Sequence, residues 1–487
     1  MTEKRTTLHA LKWSTLGHIL PQAVNPLITI YIARLLCPEA YGIIAIATIV
    51  ISFLQLFLSQ GFTTALIQKQ GNKKEVYRTA DFIFSFNLIM SSIFYLIILI
   101  SSSAIAQFFH NPEAKTVISI LSLGIVIHAF GDVQLAMLQK NMDFKSIFYR
   151  QIVPVLSNLM VTLPLASLGY GVWALVAGKL VSDILAAIIL WWKSEWKPKF
   201  NFSFKENAGI IRFGLFMILS SLMAWGISQG DNLIVGKFLT TKELGLYRTG
   251  FDLDARIFNL FLASLAPVLY SKFCTINSNE DKRKYYMKVK KYISMLVFPI
   301  IAGLILVSGY FDNLILGDKW KGISFIMAIL ALNPGIGNLW NLLPAFLKSL
   351  GKPQIITVIT IIYGIIYLPL LLIFVRYGLK TFVIVRASLG IVGLVANTYF
   401  ENRELRIDLS QALKFYYKPF IASIVMFVFG FFIHKYAFHN NYTWFSLFVM
   451  IISSIAIYIS IILIISKKEF ISLKNTILKE RVKTVTI

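Results

Sequence analysis

The chain of 487 residues is a succession of long apolar runs interrupted by short clusters of charge. A helix needs roughly 20 apolar residues to cross the hydrocarbon core of a bilayer. Fourteen segments meet or approach that requirement: Leu11 to Leu36, Tyr41 to Ile67, Ala80 to Phe109, Val117 to Leu138, Phe148 to Leu168, Val172 to Trp192, Ile211 to Leu239, Leu244 to Tyr270, Tyr292 to Val307, Ile323 to Leu347, Ile355 to Val375, Thr381 to Tyr399, Tyr417 to Phe432 and Trp444 to Ile465. They are continuously apolar rather than alternating, which predicts helices and not barrel strands. The expected fold class is an all-α polytopic membrane protein with about fourteen transmembrane helices. Pro21 and Pro26 predict a bend in the first of them.

Composition agrees: 57% of residues are hydrophobic and 14% charged, with a mean hydropathy of +0.71, too apolar for a water-soluble surface. The net charge of +24 comes from short clusters between spans, with no basic domain to hold a strand, so nucleic acid is excluded as a partner and membrane lipids take its place. Lysine and arginine are retained on the cytoplasmic side. Their alternation from loop to loop, heavy around Lys73, Lys140, Lys197, Lys282 to Lys291 and Arg403, predicts a multi-pass protein with both termini cytoplasmic. The basic N-terminal residues run into the first span without a small-residue cleavage site, which reads as a retained helix. Cys37 and Cys274 are expected on opposite sides of the membrane, hence unpaired.

The segment ARLLCPEAYG, Ala33 to Gly42, recurs as GKFLTTKELG, Gly236 to Gly245, at an offset of 203 residues. Six spans separate the copies, so the two halves are expected to be parallel repeats. The expected organisation is an N-terminal bundle over residues 1–192, a cytoplasmic amphipathic linker over 193–210, a C-terminal bundle over 211–400, and two further helices with a basic tail over 401–487. The same offset relates two stripes: His18, Gln22, Asn25 and Thr29 share one face of the first span, and Ser221, Trp225, Ser228 and Asn232 share one face of the seventh. Either stripe alone is equally a set of interhelical hydrogen bonds. Together they predict the lining of a shared cavity.

Ionisable residues inside spans are costly and mark functional sites. The eighth span carries Arg248, Asp252, Arg256 and Asn259 along one face, with Asp231 near the end of the seventh; Arg34, Lys179, Lys237 and Arg386 add positive charge. A self-neutralising arginine and aspartate ladder is the bland alternative. The excess of cations favours an anion such as a pyrophosphate, which arginine recognises through forked donors. Asp81, Asp132 and Asp183 are expected in interhelical hydrogen bonds. Asp252, Asp231 and His18 are the candidates for coupling to H+ or Na+. No other cofactor, metal site or catalytic motif is expected.

ARLLCPEAYG, GDNLIVGKFLTTKELGLYRTGFDL (Gly230 to Leu253), LGDKW (Leu316 to Trp320) and KSLGKP (Lys348 to Pro353) resemble the Wzx-type polysaccharide and O-antigen flippases, within the superfamily that also holds the MATE multidrug exporters. The resemblance implies two pseudo-symmetric six-helix bundles plus two C-terminal helices in the bacterial inner membrane. It implies alternating-access transfer of an undecaprenyl-pyrophosphate-linked oligosaccharide to the periplasmic leaflet for O-antigen, capsule or exopolysaccharide synthesis. Arg34, Lys237, Arg248 and Arg256 occupy the positions of the family's cavity cations, and a polysaccharide polymerase and chain-length machinery would be partners. A cation-coupled multidrug exporter and, further off, a membrane-embedded polymerase or glycosyltransferase are the competing readings. The former wants an acidic cavity, and the latter a large catalytic outer loop that the spacing leaves no room for.

Overall fold

The computed structural model describes the backbone of residues 2–58, 62–203, 208–262, 265–333, 337, 339, 342–352, 354–405 and 409–485; side chains are described for most of these positions, but not for His18 or those beyond residue 465. Each predicted apolar segment falls on a helix or a broken helical pair. Nine described helices are long and apolar enough to cross a bilayer. Contacts divide the chain into two compact units, Met1–Thr249 and Gly250–Ile487.

The first unit contains α1 (Thr2–Leu35), α2 (Pro38–Gln55), α3 (Phe62–Gln68), α4 (Lys73–Phe108), α5 (Glu113–Leu121), α6 (Leu123–Lys140), α7 (Phe144–Ser157), α8 (Leu163–Ser167), α9 (Val172–Lys193), α10 (Ala208–Phe238) and the start of α11 (Thr241–Leu262). Local chemistry sets several of these starts. Asn72 accepts from the Glu75 amide at 2.9 Å while its own amide group donates back to the Glu75 carboxylate at 3.0 Å, fixing the start of α4. Thr240 and Glu243 cap α11 reciprocally, at 3.2 and 3.0 Å. Pro154 removes an amide donor within α7, and the ladder relaxes into a π turn over Asn158–Thr162 before α8.

Helix α1 packs on α7, α7 on α9, α9 on α6, and α6 on α4. Phe82, Phe84, Val133, Met137 and the linker residue Trp196 form one buried cluster there. The Trp196 indole donates to Asp81 Oδ1 at 3.2 Å, and the Lys199 amide donates to the same oxygen at 3.0 Å. The linker is thus bonded to α4 through Trp196, while Phe200 and Phe202 stay exposed and stack on each other.

The two copies of the repeated segment meet inside this unit. A Cβ on Gly42 would lie 2.0 Å from the Thr241 carbonyl oxygen, and one on Gly245 would lie 1.8 Å from the Pro38 carbonyl oxygen. Pro38 and Thr241 are themselves separated by the repeat offset, so the contact is reciprocal, as a local two-fold relation between the copies requires. Asn111 donates to Thr241 Oγ1 at 2.8 Å and fastens the junction to the start of α5.

The second unit continues α11 and adds α12 (Leu265–Thr275), α13 (Asn279–Val307), α14 (Ile323–Leu330), α15 (Leu342–Ser349), α16 (Gln354–Phe374), α17 (Leu379–Leu405), α18 (Leu409–Phe432) and α19 (Trp444–Val485). Helix α13 begins thirteen residues before the predicted span, because Ser278 caps it and its basic segment is helical. Lys290 of that segment is fully buried and ion-paired with buried Glu401 of α17, to which Tyr286 also donates. Helix α18 packs between α13 and α19. Large apolar side chains on α18 and α19, among them Phe429, Phe445, Phe448 and Ile464, remain exposed, as lipid-facing helices require.

Candidate functional site

Two polar regions lie within the first unit. One joins α10 to α11. Asp231 is buried and accepts from the Tyr247 hydroxyl at 2.6 Å and from the Asn232 side-chain amide at 3.0 Å. Arg248, half-buried, donates to Gln229 Oε1 at 3.2 Å. Tyr247 and Asn232 thus donate to the carboxylate, and Gln229 accepts from the guanidinium. A guanidinium held within a helical bundle carries the forked donors that recognise an anion.

The other predicted cations are placed differently. Lys237 donates to the Phe108 carbonyl at 3.0 Å and lies 4.3 Å from that residue's ring centroid. Arg34 is exposed in the last turn of α1, where it complements the helix dipole, and Arg256 is exposed two turns beyond Arg248 on α11. Arg248 is thus joined to the α10 network, and Lys237 is drawn to the end of α4. Asp252 is half-buried on α11. Arg386, in the second unit, stacks 4.4 Å from the Phe251 ring centroid.

Of the first polar stripe, Gln22, Asn25 and Thr29 are half-buried, and Asn25 Oδ1 is buried without a hydrogen-bond partner. The His18 side chain lies outside the described residues. On the second stripe, Trp225 donates to Ser52 at 2.9 Å and packs edge-on against Phe53, so it holds α10 to α2. The Ser228 hydroxyl bonds back to the Trp225 carbonyl, Asn232 belongs to the Asp231 network, and Ser221 is half-buried.

The second region is a cavity of about 520 Å3 lined by residues of α2, α5, α6, α7 and α9. Thr48, Ser52 and Gln55 reach it from α2, Asn158 from the π turn, His128 and Asp132 from α6, and Lys179 and Asp183 from α9. Lys179 pairs with Asp183 one turn along α9, and His128 Nε2 lies 3.5 Å from the same Asp183 oxygen. The backbones approach closely here. A Cβ on Gly178 would fall 1.7 Å from Thr162 Oγ1, and one on Gly124 would fall 3.1 Å from Asp183 Oδ2. Asp183 makes the interhelical contact expected of it. His128 had no sequence reading, although His128/Asp132 and Lys179/Asp183 repeat an i, i+4 spacing on two predicted spans, and that pattern is the signal that marks the cavity.

A polytopic helical bundle that draws ionisable side chains into a polar interior space is a membrane transporter by architecture. The chain belongs to the family described as polysaccharide biosynthesis protein, whose model matches residues 31–325. It is 24% identical to the succinoglycan biosynthesis transport protein ExoT of Rhizobium meliloti, over 72% of this chain and 71% of that one. It is 19% identical to the lipopolysaccharide biosynthesis protein WzxC of Escherichia coli, over 77% and 76%. Among solved structures, the fold is similar to the lipid II flippase MurJ in an inward closed conformation, with a TM-score of 0.77 at 15% identity over 93% of this chain and 99% of that one. An inward-facing MATE multidrug transporter gives 0.57 at 18% identity, over 82% and 98%.

Proposed function

We propose that this protein, a carrier rather than an enzyme, moves an undecaprenyl-pyrophosphate-linked oligosaccharide from the cytoplasmic to the periplasmic leaflet of a bacterial inner membrane by alternating access. Arg248 and Arg256, on one side of α11, are the groups assigned to the pyrophosphate, with Arg34 and Lys237 adding positive potential. The sugars follow the polar stripes and the prenyl tail stays in lipid. A polymerase and its chain-length machinery would consume the product outside.

The observation that carries this reading is Arg248, a half-buried guanidinium oriented by Gln229 within a span, in a chain whose family is that of polysaccharide biosynthesis. Forked donors suit a diphosphate better than they suit a cationic drug. In a deletion strain, a lipid-linked repeat unit should accumulate on the cytoplasmic face. Wild-type protein should clear it, and the double variant Arg248→Gln/Arg256→Gln should insert normally and fail to clear it. Full clearance by that variant would remove the arginines from the mechanism.

A further inference from the structure

The second unit carries an apolar groove of about 500 Å3 between α16 and α17, lined by Ile362 of α16 and by Val392, Val395, Ala396, Tyr399 and Phe400 of α17. Close approach and a small side chain shape it. A Cβ on Gly393 would lie 3.6 Å from the Tyr363 ring, so the two helices touch at that level, and three residues on Ala396 contributes only a methyl group. Asn397 belongs elsewhere: its side chain donates to the Gly393 carbonyl at 2.7 Å and lines a separate hollow with Thr360. The side chains of the groove are therefore apolar apart from the Tyr399 hydroxyl, and both Val395 and Tyr399 are exposed.

Val392, Ala396, Tyr399 and Arg403 recur at helical spacing, so the stripe that forms the groove ends in a tyrosine and then an arginine. Arg403 is exposed and has no acidic partner among the described residues. The carboxylates on either side of it are both taken, Glu401 by Lys290 and Glu404 by Lys352 at 2.6 Å. A cation in a last turn complements the helix dipole. That accounts for the charge and not for its register with the groove. At 1.5 Å per residue, Val392 to Arg403 covers about 16 Å, close to half of a hydrocarbon core of roughly 30 Å. With Arg403 at the headgroup level, Tyr399 lies in the interface, where tyrosine is favoured, and the groove runs on toward the middle of the bilayer.

We propose that this groove binds one anionic glycerophospholipid from the leaflet on the Arg403 side, cytoplasmic in the topology that the loop charges predict. An acyl chain lies along Val392 to Phe400, the ester region sits beside the Tyr399 hydroxyl, and the phosphate meets the Arg403 guanidinium. Forked donors suit a phosphate, and basic pockets between spans recognise lipid headgroups. Charge complementarity selects the lipid: the two lysine and glutamate pairs around the end of α17 cancel, and Arg403 is the surplus positive charge. It matches a headgroup with one net negative charge better than a zwitterion. A prenyl diphosphate is matched less well, because one cation would face two phosphates. The site stands whether or not the carrier reading does.

The test uses the full chain in nanodiscs with photoactivatable phosphatidylglycerol and phosphatidylethanolamine that carry the same diazirine-bearing acyl chain, the labelled peptides being located by mass. At equal mole fraction, phosphatidylglycerol should label the 392–400 segment about fivefold more than phosphatidylethanolamine, the preference expected of one cation near a membrane surface. Arg403→Gln should bring the two lipids level. Lys73→Gln, at an exposed cation of the first unit, should leave the preference intact. Ala396→Phe should fill the groove and reduce labelling by both lipids, and Val395→Trp replaces it if the phenylalanine variant aggregates.

Equal labelling of this segment by the two lipids in wild type, or a preference that survives Arg403→Gln, overturns the headgroup site. Labelling that a groove-filling variant leaves unchanged overturns the seating of the acyl chain. Undecaprenyl pyrophosphate added at the same mole fraction should leave the phosphatidylglycerol label in place; displacement by it would give the groove to a prenyl diphosphate and overturn the phospholipid assignment.

Discussion

Alanine at Gly42 or Gly245 tests the reciprocal junction directly. Each new methyl would lie 1.8–2.0 Å from a backbone carbonyl oxygen, less than two-thirds of a van der Waals contact. Neither oxygen can rotate away, because Pro38 and Thr241 are the first residues of their helices. The helix starts must separate, and overpacking of this kind costs about 1–3 kcal/mol. Helix propensity works in the opposite direction, since alanine is favoured over glycine by about 1 kcal/mol in a helix interior. Gly226 and Gly303 supply the control: each is helical, and a Cβ there meets nothing within 4 Å. Apparent unfolding midpoints in nanodiscs at one scan rate should therefore fall for Gly42→Ala and Gly245→Ala and hold or rise for Gly226→Ala and Gly303→Ala. Both junction methyls push the same two helix starts apart, so the double variant should cost less than the sum of its parts, with a coupling of about 0.5–3 kcal/mol. If Gly42→Ala is as stable as Gly303→Ala, or the two junction changes add independently, the reciprocal contact is not the close packing described.

In the second unit, Glu401→Gln or Lys290→Met should each destabilise by about 3–5 kcal/mol by stranding a buried charge, while the double change Lys290→Met/Glu401→Leu should recover much of the loss; singles as mild as the double would refute the pairing. Trp225→Phe removes the bond to Ser52 and should cost about 1 kcal/mol in thermal stability, with Ser52→Ala giving no further loss in its presence. Asp81→Asn weakens the acceptor that holds Trp196 and the Lys199 amide, so trypsin should cut after Lys199 faster than in wild type, with cleavage elsewhere unchanged.

The apolar runs were enough to place the helices, because lipid forces each span to satisfy its backbone internally and leaves little for tertiary context to override. The repeated segment was legible as well, since a glycine in each copy answers a local demand for close approach. What the pattern hid were partnerships across distant sequence. Lys290 reads as one more residue of a cytoplasmic basic cluster, and only Glu401, 111 residues later, makes its burial tolerable. His128 reads as a lone polar residue in an apolar run until α9 brings Lys179 and Asp183 beside it. In both cases a spacing fixes which face a residue occupies, and another element decides what that face meets.

The same distinction separates the two polar regions in what they ask of experiment. The Arg248 network was visible in sequence because Arg248, Asp252 and Arg256 share one face of α11, and its partners Gln229 and Asp231 come from the adjoining α10. The cavity cluster is assembled from several helices, with His128 of α6 beside Asp183 of α9. Changes there should be strongly non-additive: Lys179→Met strands the largely buried Asp183 carboxylate and should lower the apparent unfolding midpoint, whereas Lys179→Met/Asp183→Leu should recover much of that loss. A midpoint lowered equally by the single and the double change would mean that Lys179 and Asp183 do not act as a pair in this cavity.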